Sequence, residues 1–123
     1  MLFRANNEEN KKKMLFCRVK IGNRAFNTKI SEEKKPSWDE SIEIRRNFNE
    51  NSILLQVWNF DPKESEKLIG ETTIDLISKE IDIDIKKIVN LDIAIYNNGM
   101  KKGDLTMEMK GMEDDLEEMM CFL

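Results

Sequence analysis

One stretch of the chain carries oxygen-bearing side chains at a spacing typical of metal ligands. Residues 57–70 read VWNFDPKESEKLIG, with Asn59 and Asp61 alternating along the chain. A hard cation such as Ca²⁺ is bound by roughly six to eight oxygen ligands, and both side chains could supply one. Lys63 and Lys67 place ammonium groups in the same loop. The stretch is therefore a calcium loop, a calcium loop that has lost its ion, or an ordinary turn.

The composition excludes most of the common catalytic mechanisms. The chain contains no histidine, which excludes histidine-based triads, histidine metal sites and the commonest general base near neutral pH. Ser37 and Ser65 have no recognisable catalytic partner in the sequence, and the glycine-rich phosphate loop and the nucleophile-elbow motif are missing. Cys17 and Cys121 lack the spacing of a zinc site and are interpreted as buried or idle thiols. The sequence predicts a non-enzymatic protein with no cofactor and no small-molecule substrate.

Length and charge point to one domain with a charged surface. The 123 residues suit a single core, and 40% hydrophobic with 36% charged residues is typical of a globular chain. A net charge of -4 argues against nonspecific nucleic-acid binding. No apolar run reaches the ~20 residues that cross a bilayer, and MLFRANNEEN lacks the organisation of a secretory signal. We expect an intracellular protein, cytoplasmic or cytoskeleton-associated.

Alternating hydrophobicity predicts the elements that must position these residues. Apolar and polar side chains alternate in LFCRVKI (15–21) and SIEIR (41–45), the pattern of half-buried strands. ILLQVW (53–58) is the most hydrophobic run and is predicted to be a central strand. Gly70 predicts a bulge, or a close approach of another part of the backbone, in the next strand. The stretch 77–96 is ambiguous, because its apolar spacing fits a strand in part and a helix in part. Further strands are predicted at MLFRA, RAFNTKI (24–30), LIGETTIDL (68–76), 89–95 and DLTMEMK (104–110). The regular spacing favours an antiparallel β-sandwich.

The order of these motifs resembles the C2-domain family. FCRVKIG, FNTKI, KKPSWDESIEI, LLQVWNFD, EKLIGETTIDL and GDLTMEM follow one another as in that family, with the Pro36–Glu40 corner and the 57–70 loop as the most specific parts. The resemblance covers residues 1–110 and implies a Greek-key sandwich of about eight strands. It also implies a calcium-dependent or calcium-independent module that binds lipid or protein.

The resemblance locates the expected calcium ligands residue by residue. Family aspartates correspond here to Glu8, Met14, Asn59, Asp61 and Lys67, so one aspartate remains in the set. Met14 offers a thioether, and Lys67 offers an ammonium that repels a cation. The resemblance therefore predicts a calcium loop by ancestry that binds no calcium.

Lysines offer a second use for the same loops. A permanent basic cluster of Lys11, Lys12, Lys13, Lys63 and Lys67 would attract anionic lipid or an acidic partner, at about 1 kcal/mol per residue near a charged membrane. Glutamates at 8, 9, 64 and 66 lie among these lysines and make the cluster mixed. An ordinary solvated loop is the alternative.

Aromatic residues are interpreted first as packing groups. Trp38 and Trp58 each flank a predicted strand, and we expect both rings in the core or against a sheet edge. Phe60, between Asn59 and Asp61, either supports the loop or protrudes as a contact.

The last 13 residues depart from the family pattern. GMEDDLEEMMCFL (111–123) is acidic and methionine-rich, and places several apolar residues near one helical face. It is interpreted as an acidic tail, possibly helical, that is held by its own sandwich or docks on a partner, or as a frayed terminus. The predicted docking residues are Met112, Leu116, Met119, Met120, Phe122 and Leu123.

Two classes of function remain. The first is a calcium-independent C2-like interaction module, acting as a small adaptor or structural subunit of an intracellular, eukaryotic protein assembly. The second is a peripheral membrane module that binds anionic phospholipid.

Overall fold

Antiparallel β-strands make up the regular structure of the chain. A computed structural model describes residues 1–5, 13–45, 50–63, 65–75, 88–111 and 118–122, and these ranges contain no helix. Accordingly, no helix long and apolar enough to cross a membrane occurs in them. The strands are β1 (Leu2–Ala5), β2 (Leu15–Ile21), β3 (Arg24–Asn27), β4 (Ser41–Arg45), β5 (Ser52–Asp61), β6 (Ser65–Asp75), β7 (Ile88–Asn97), β8 (Met100–Gly111) and β9 (Glu118–Phe122).

The strand order places β5 in the interior of the sheet, as its hydrophobicity predicts. The order is β3-β2-β5-β6-β7-β8-β9-β4, and every described pairing between strands is antiparallel. β6 and β7 are joined at one residue pair, Glu71 with Tyr96, where the sheet folds over on itself. One half of the sandwich consists of β3, β2, β5 and β6, and the other consists of β7, β8, β9 and β4, with β1 beside β8. This arrangement confirms the predicted fold class.

Both ends of the chain lie along the same edge of β8. One edge of β8 pairs with β7 over almost its whole length. The other edge is shared, because Leu2 of β1 pairs with Thr106 and Phe122 of β9 pairs with Glu108. The two terminal strands therefore lie end to end beside β8, with the join opposite Met107.

A single apolar cluster fills the space between the two halves. Cys17, Val19, Leu55, Val57 and Leu105 are fully buried within it. These residues come from the alternate positions of their strands that point inward, as the period of two requires. Trp38 also belongs to the cluster, which confirms the prediction that its ring packs in the core.

Gly70 is a position of close backbone approach. The β5–β6 register shifts between Val57 and Trp58, opposite Gly70, which is the irregularity that the sequence predicts. A Cβ atom at Gly70 would lie 2.6 Å from Cγ2 of Ile95 and 3.0 Å from the carbonyl oxygen of Tyr96. The absence of a side chain therefore allows β6 to approach β7.

The prediction of a helical tail is wrong for residues 118–122, which form the strand β9. This strand pairs with β4 on one side and β8 on the other. Backbone pairing on both edges satisfies more N–H and C=O groups than an isolated short helix, which is marginal in water. Met112, Leu116 and Leu123 lie outside the described residues, as does the ambiguous segment 77–87.

Several strand limits differ from the predicted ones. β3 ends at Asn27 instead of residue 30. Thr28 still donates its N–H to the carbonyl of Cys17 in β2, but the N–H of Cys17 donates to the Oγ1 atom of Thr28 instead of a backbone carbonyl, so the regular ladder stops there. β6 begins at Ser65 instead of residue 68, which makes the β5–β6 connection a tight turn. The β7–β8 turn is likewise tight, with Asn98 and Gly99 both at positive φ.

Candidate functional site

The β5–β6 end of the sandwich brings three of the five predicted ligand positions together. Leu15 pairs with Asn59, and Asn59 pairs with Lys67, so the three residues form a row across β2, β5 and β6. Met14 precedes Leu15, and its N–H donates to Oδ1 of Asn59 at 3.1 Å, so Met14, Asn59 and Lys67 also lie side by side as one row of family ligand positions. Its carbonyl accepts from the N–H of Phe60 at 2.8 Å. The amide oxygen of Asn59 therefore already serves as a hydrogen-bond acceptor within the fold.

Asp61 uses its carboxylate in the turn that follows β5. The N–H of Lys63 donates to Oδ1 of Asp61 at 2.8 Å, two residues along the chain, as in an Asx turn. Asp61 also pairs with Ser65, which has a φ of 84°. The one aspartate that remains at the five family calcium positions thus has a structural role in closing the hairpin.

The predicted lysines are only partly described. Lys63 and Lys67 are exposed at this hairpin, and Lys13 is half-buried next to Met14. Glu8, Lys11, Lys12 and Glu64 lie outside the described residues. Phe60 is half-buried, in register with Glu66.

The described carboxylates do not gather around this row. Within the described ranges, no group of three or more aspartate, glutamate or cysteine side chains is placed to hold a metal ion. Calcium binding needs several anionic oxygens to compete with water. The described part of the row presents an engaged amide, an exposed ammonium and a thioether.

A second arrangement, on the outer face of the same half-sandwich, is not predicted by the sequence. Phe16 pairs with Trp58 across β2 and β5, and the guanidinium of Arg18 lies over both rings, 5.4 Å and 5.0 Å from their centroids. Arg18 also donates from Nε to Oδ1 of Asn27 at 2.8 Å and forms an ion pair with Glu66 at 3.0 Å. The cation is thereby held by two rings and two oxygen-bearing side chains, which come from four strands.

An amide and a carboxylate extend this cluster across the sheet. The indole Nε1 of Trp58 donates to Oε1 of Gln56 at 3.0 Å. Nε2 of Gln56 in turn donates to Oε2 of Glu71 at 2.6 Å. Gln56 is buried although it lies on the outer face, because these neighbours cover it. We call Phe16, Arg18, Gln56, Trp58, Glu66 and Glu71 the outer cluster.

The expectation that Trp58 packs in the core or against a sheet edge is therefore corrected. Its ring is half-buried on the outer face, where it stacks with Arg18. The signal was present in the alternation, since Phe16 and Arg18 share the face opposite Leu15 and Cys17. A pairing of Phe16 with Trp58 needs the β2–β5 register, which the sequence does not give.

Burial determines the chemistry of the described thiol. Cys17 is completely buried, and this burial raises the pKa of its thiol well above the usual range. A thiol kept neutral is a poor nucleophile. Cys17 is thus confirmed as a buried thiol, whereas the side chain of Cys121 lies outside the described residues.

The strand order and the tight loop between β5 and β6 define the class of protein, an antiparallel β-sandwich. The sequence model of the C2 domain matches residues 2–91, and the chain therefore belongs to the C2 domain family. Domains of this family are generally non-catalytic modules that bind proteins or anionic phospholipids. No characterised protein matches the sequence significantly.

Proposed function

We propose that the protein is a calcium-independent interaction module, acting as a small adaptor or structural subunit of an intracellular protein assembly. The row of Met14, Asn59 and Lys67 carries this proposal. It places an exposed ammonium opposite an amide whose oxygen accepts from the backbone, where calcium-binding relatives would have carboxylates. A module without the ion must recognise its partner through surfaces that are formed in advance.

The geometry of Asp61 supports the same proposal. Turning Oδ1 toward a cation would break the hydrogen bond from the N–H of Lys63. Such a bond to a charged acceptor contributes about 1.5–3 kcal/mol. Binding would therefore have to offset this loss as well as the repulsion from Lys67.

A matched gain-of-function variant tests calcium independence. We expect calorimetric titration of the wild-type chain with CaCl₂ to show no saturable heat at micromolar concentrations. The triple variant Met14→Asp, Asn59→Asp and Lys67→Asp restores carboxylates at three positions and should bind more tightly. Saturable binding by the wild type would contradict the proposal.

Protein partnership is tested with the native full-length chain. We expect purification from its own cells in a calcium chelator to retain a stoichiometric companion. If the protein is recovered without any companion, under conditions that preserve other complexes, this result would contradict the assembly role.

A membrane role is the second candidate, and exposed Lys63 and Lys67 favour it. Each basic residue near an anionic surface contributes about 1 kcal/mol, so this pair alone gives about 2 kcal/mol. Glu66, which lies between the two lysines in the chain and is exposed, opposes this attraction. Co-sedimentation with phosphatidylserine vesicles, compared with neutral vesicles and with Lys63→Glu/Lys67→Glu, distinguishes the candidates. Binding to anionic vesicles that these substitutions abolish would favour the membrane role.

A further inference from the structure

A cavity opens where the two terminal strands meet. It has a volume of about 790 Å³ and lies between the corner before β4 and the paired strands β7 and β8. The residues that line it include Trp38, Asp39, Leu91, Asp92, Met107 and Glu108. The cavity is distant in sequence from the β5–β6 loop and shares no residue with the outer cluster.

The floor of the cavity is apolar. Trp38 and Met107 are 5% and 3% exposed, and Leu91 is half-buried against the core. The exposed part of Leu91 offers most of the apolar surface on which the methylene stem of a long side chain can pack, with Trp38 and Met107 beneath it.

The rim of the cavity is acidic. Asp39, Asp92 and Glu108 are exposed, and Glu40 is half-buried and accepts from the N–H of Lys29 at 2.8 Å. No lysine or arginine is among the described lining residues. The carboxylates therefore outnumber the cations on this surface.

Two cations nevertheless face the rim. Arg4 reaches Asp92 at 3.4 Å, between side chains that are 56% and 62% exposed, which makes the ion pair weak. The Met1 ammonium donates to the carbonyl of Trp38 at 2.7 Å. Asp39 and Glu108 make no ion pair within the described part of the chain, so a cation can approach them.

Trp38 supplies an independent sign of a missing acceptor. Its Nε1 is a buried donor without a hydrogen-bond partner in the described structure. A donor left in this state costs about 1–3 kcal/mol, and such groups are rare in folded proteins. A ligand carbonyl oxygen that accepts from the indole N–H would recover this energy.

We propose that this cavity binds a basic segment of a protein partner, with an arginine or lysine side chain between the rim carboxylates. The methylene stem packs on Leu91 and Met107, and a carbonyl of the segment accepts from Trp38. This proposal rests on the assembly role above and names the chemistry of the partner. The charge of the rim selects a basic segment over an acidic one.

Nuclear magnetic resonance of the ¹⁵N-labelled full-length chain tests this proposal. The probe is an acetylated and amidated tetrapeptide that alternates leucine and arginine, and glutamate replaces arginine in the comparison peptide. We expect the arginine peptide to shift the indole resonance of Trp38 saturably and to leave that of Trp58 unchanged. Trp38→Phe assigns the resonance.

A charge-matched pair of variants makes the test specific. Asp39→Asn/Glu108→Gln removes two rim charges and should lower the affinity for the arginine peptide about tenfold, which corresponds to about 1.4 kcal/mol. Glu32→Gln/Asp75→Asn makes the same charge change at exposed positions outside the cavity and should leave the affinity within twofold. Equal affinities for both variants, or equal shifts from both peptides, would overturn the proposal.

Companion binding separates this proposal from the assembly role. A companion that the rim variant loses and the control variant keeps supports both. A companion that both variants keep leaves the assembly role intact and overturns the cavity proposal. If no companion is found, the assembly role fails, and the peptide titration still decides the cavity proposal.

Discussion

At the scale of single residues, Arg18 shows how a charged side chain can become part of the packing. Its guanidinium contacts two aromatic rings, one amide and one carboxylate, and its side chain is only 16% exposed. The planar group can stack and donate at once, which an ammonium cannot. The outer cluster therefore owes its order to the shape of Arg18 as well as to its charge.

Arg18→Lys tests this account. We expect the variant to keep the positive charge and lose about 1–2 kcal/mol of unfolding free energy, because stacking and directed hydrogen bonds are lost. Urea denaturation followed by tryptophan fluorescence measures the change. Lys20→Arg, two residues along the same strand, is the control and should stay within about 0.5 kcal/mol. An equal effect of both substitutions would show that shape is unimportant.

At the scale of elements, Gly70 determines how closely β6 meets β7. A Cβ atom there would collide with Ile95 and with the backbone of Tyr96. The two halves of the sandwich are linked by strand pairing at this place, so a local shift affects the packing of both.

Gly70→Ala should therefore destabilise the fold by about 1–3 kcal/mol, the usual cost of overpacking. Thermal unfolding followed by circular dichroism measures the effect. Thr73→Val, an exposed isosteric change on the same strand, is the control. A Gly70→Ala variant as stable as the wild type would show that β6 and β7 can separate without cost.

The strand β9 offers a second test at this scale. Met120 pairs with Glu43 of β4 and with Lys110 of β8, so its backbone lies between two strands. Met120→Pro removes a backbone donor and should cost about 3 kcal/mol or more if that donor is paired. Met120→Ile keeps the donor and is the control. Equal melting temperatures for the two variants would contradict the position of β9 within the sheet.

Local pattern predicted much of the fold. The alternation in β2 and the apolar run of β5 identified strands, and Gly70 was recognised as a bulge or close approach because strands rarely carry glycine without a reason. Met119 and Met120 were misinterpreted because apolar spacing in a short segment fits both a helix and a strand. The ambiguity is resolved by the pairing of β9 with β4 and β8, and these two strands are distant from each other in sequence.

The candidate site was predicted at the level of residue types. Met14, Asn59 and Lys67 were identified through the family resemblance, and the structure places them in one row. The hydrogen bonds that occupy Asn59 and Asp61 were not predictable, because they depend on backbone positions in a neighbouring strand. The cavity at the join of β1 and β9 was missed, since its walls come from four separate parts of the chain.

At the scale of the whole molecule, Cys17 reports on global unfolding. Its thiol is fully buried at the centre of the common core, so a reagent reaches it only when the sandwich opens. In a Cys121→Ser background, we expect labelling by a thiol reagent to be slowed in proportion to the equilibrium constant for unfolding. Rapid labelling of the native protein would contradict this burial.

The same thiol makes stability depend on pH. Burial raises the pKa of Cys17 in the folded state above its unfolded value. The contribution is therefore complete below the unfolded pKa of about 8.5 and is lost progressively as the pH rises beyond it. Urea unfolding between about pH 8 and pH 10 measures this decline. Cys17→Ala should remove this part of the slope, although it lowers stability at every pH.

The position of β9 also determines when the sandwich can be completed during synthesis. In the described structure, β4 pairs only with β9, although more than 70 residues separate them in the chain. On the ribosome, β4 emerges early, and its edge stays unpaired until β9 has been synthesised. Until residues 118–122 leave the exit tunnel, the nascent polypeptide exposes a site where another unfinished copy can pair. Premature termination near residue 111 would thus turn an incomplete chain into a seed for aggregation.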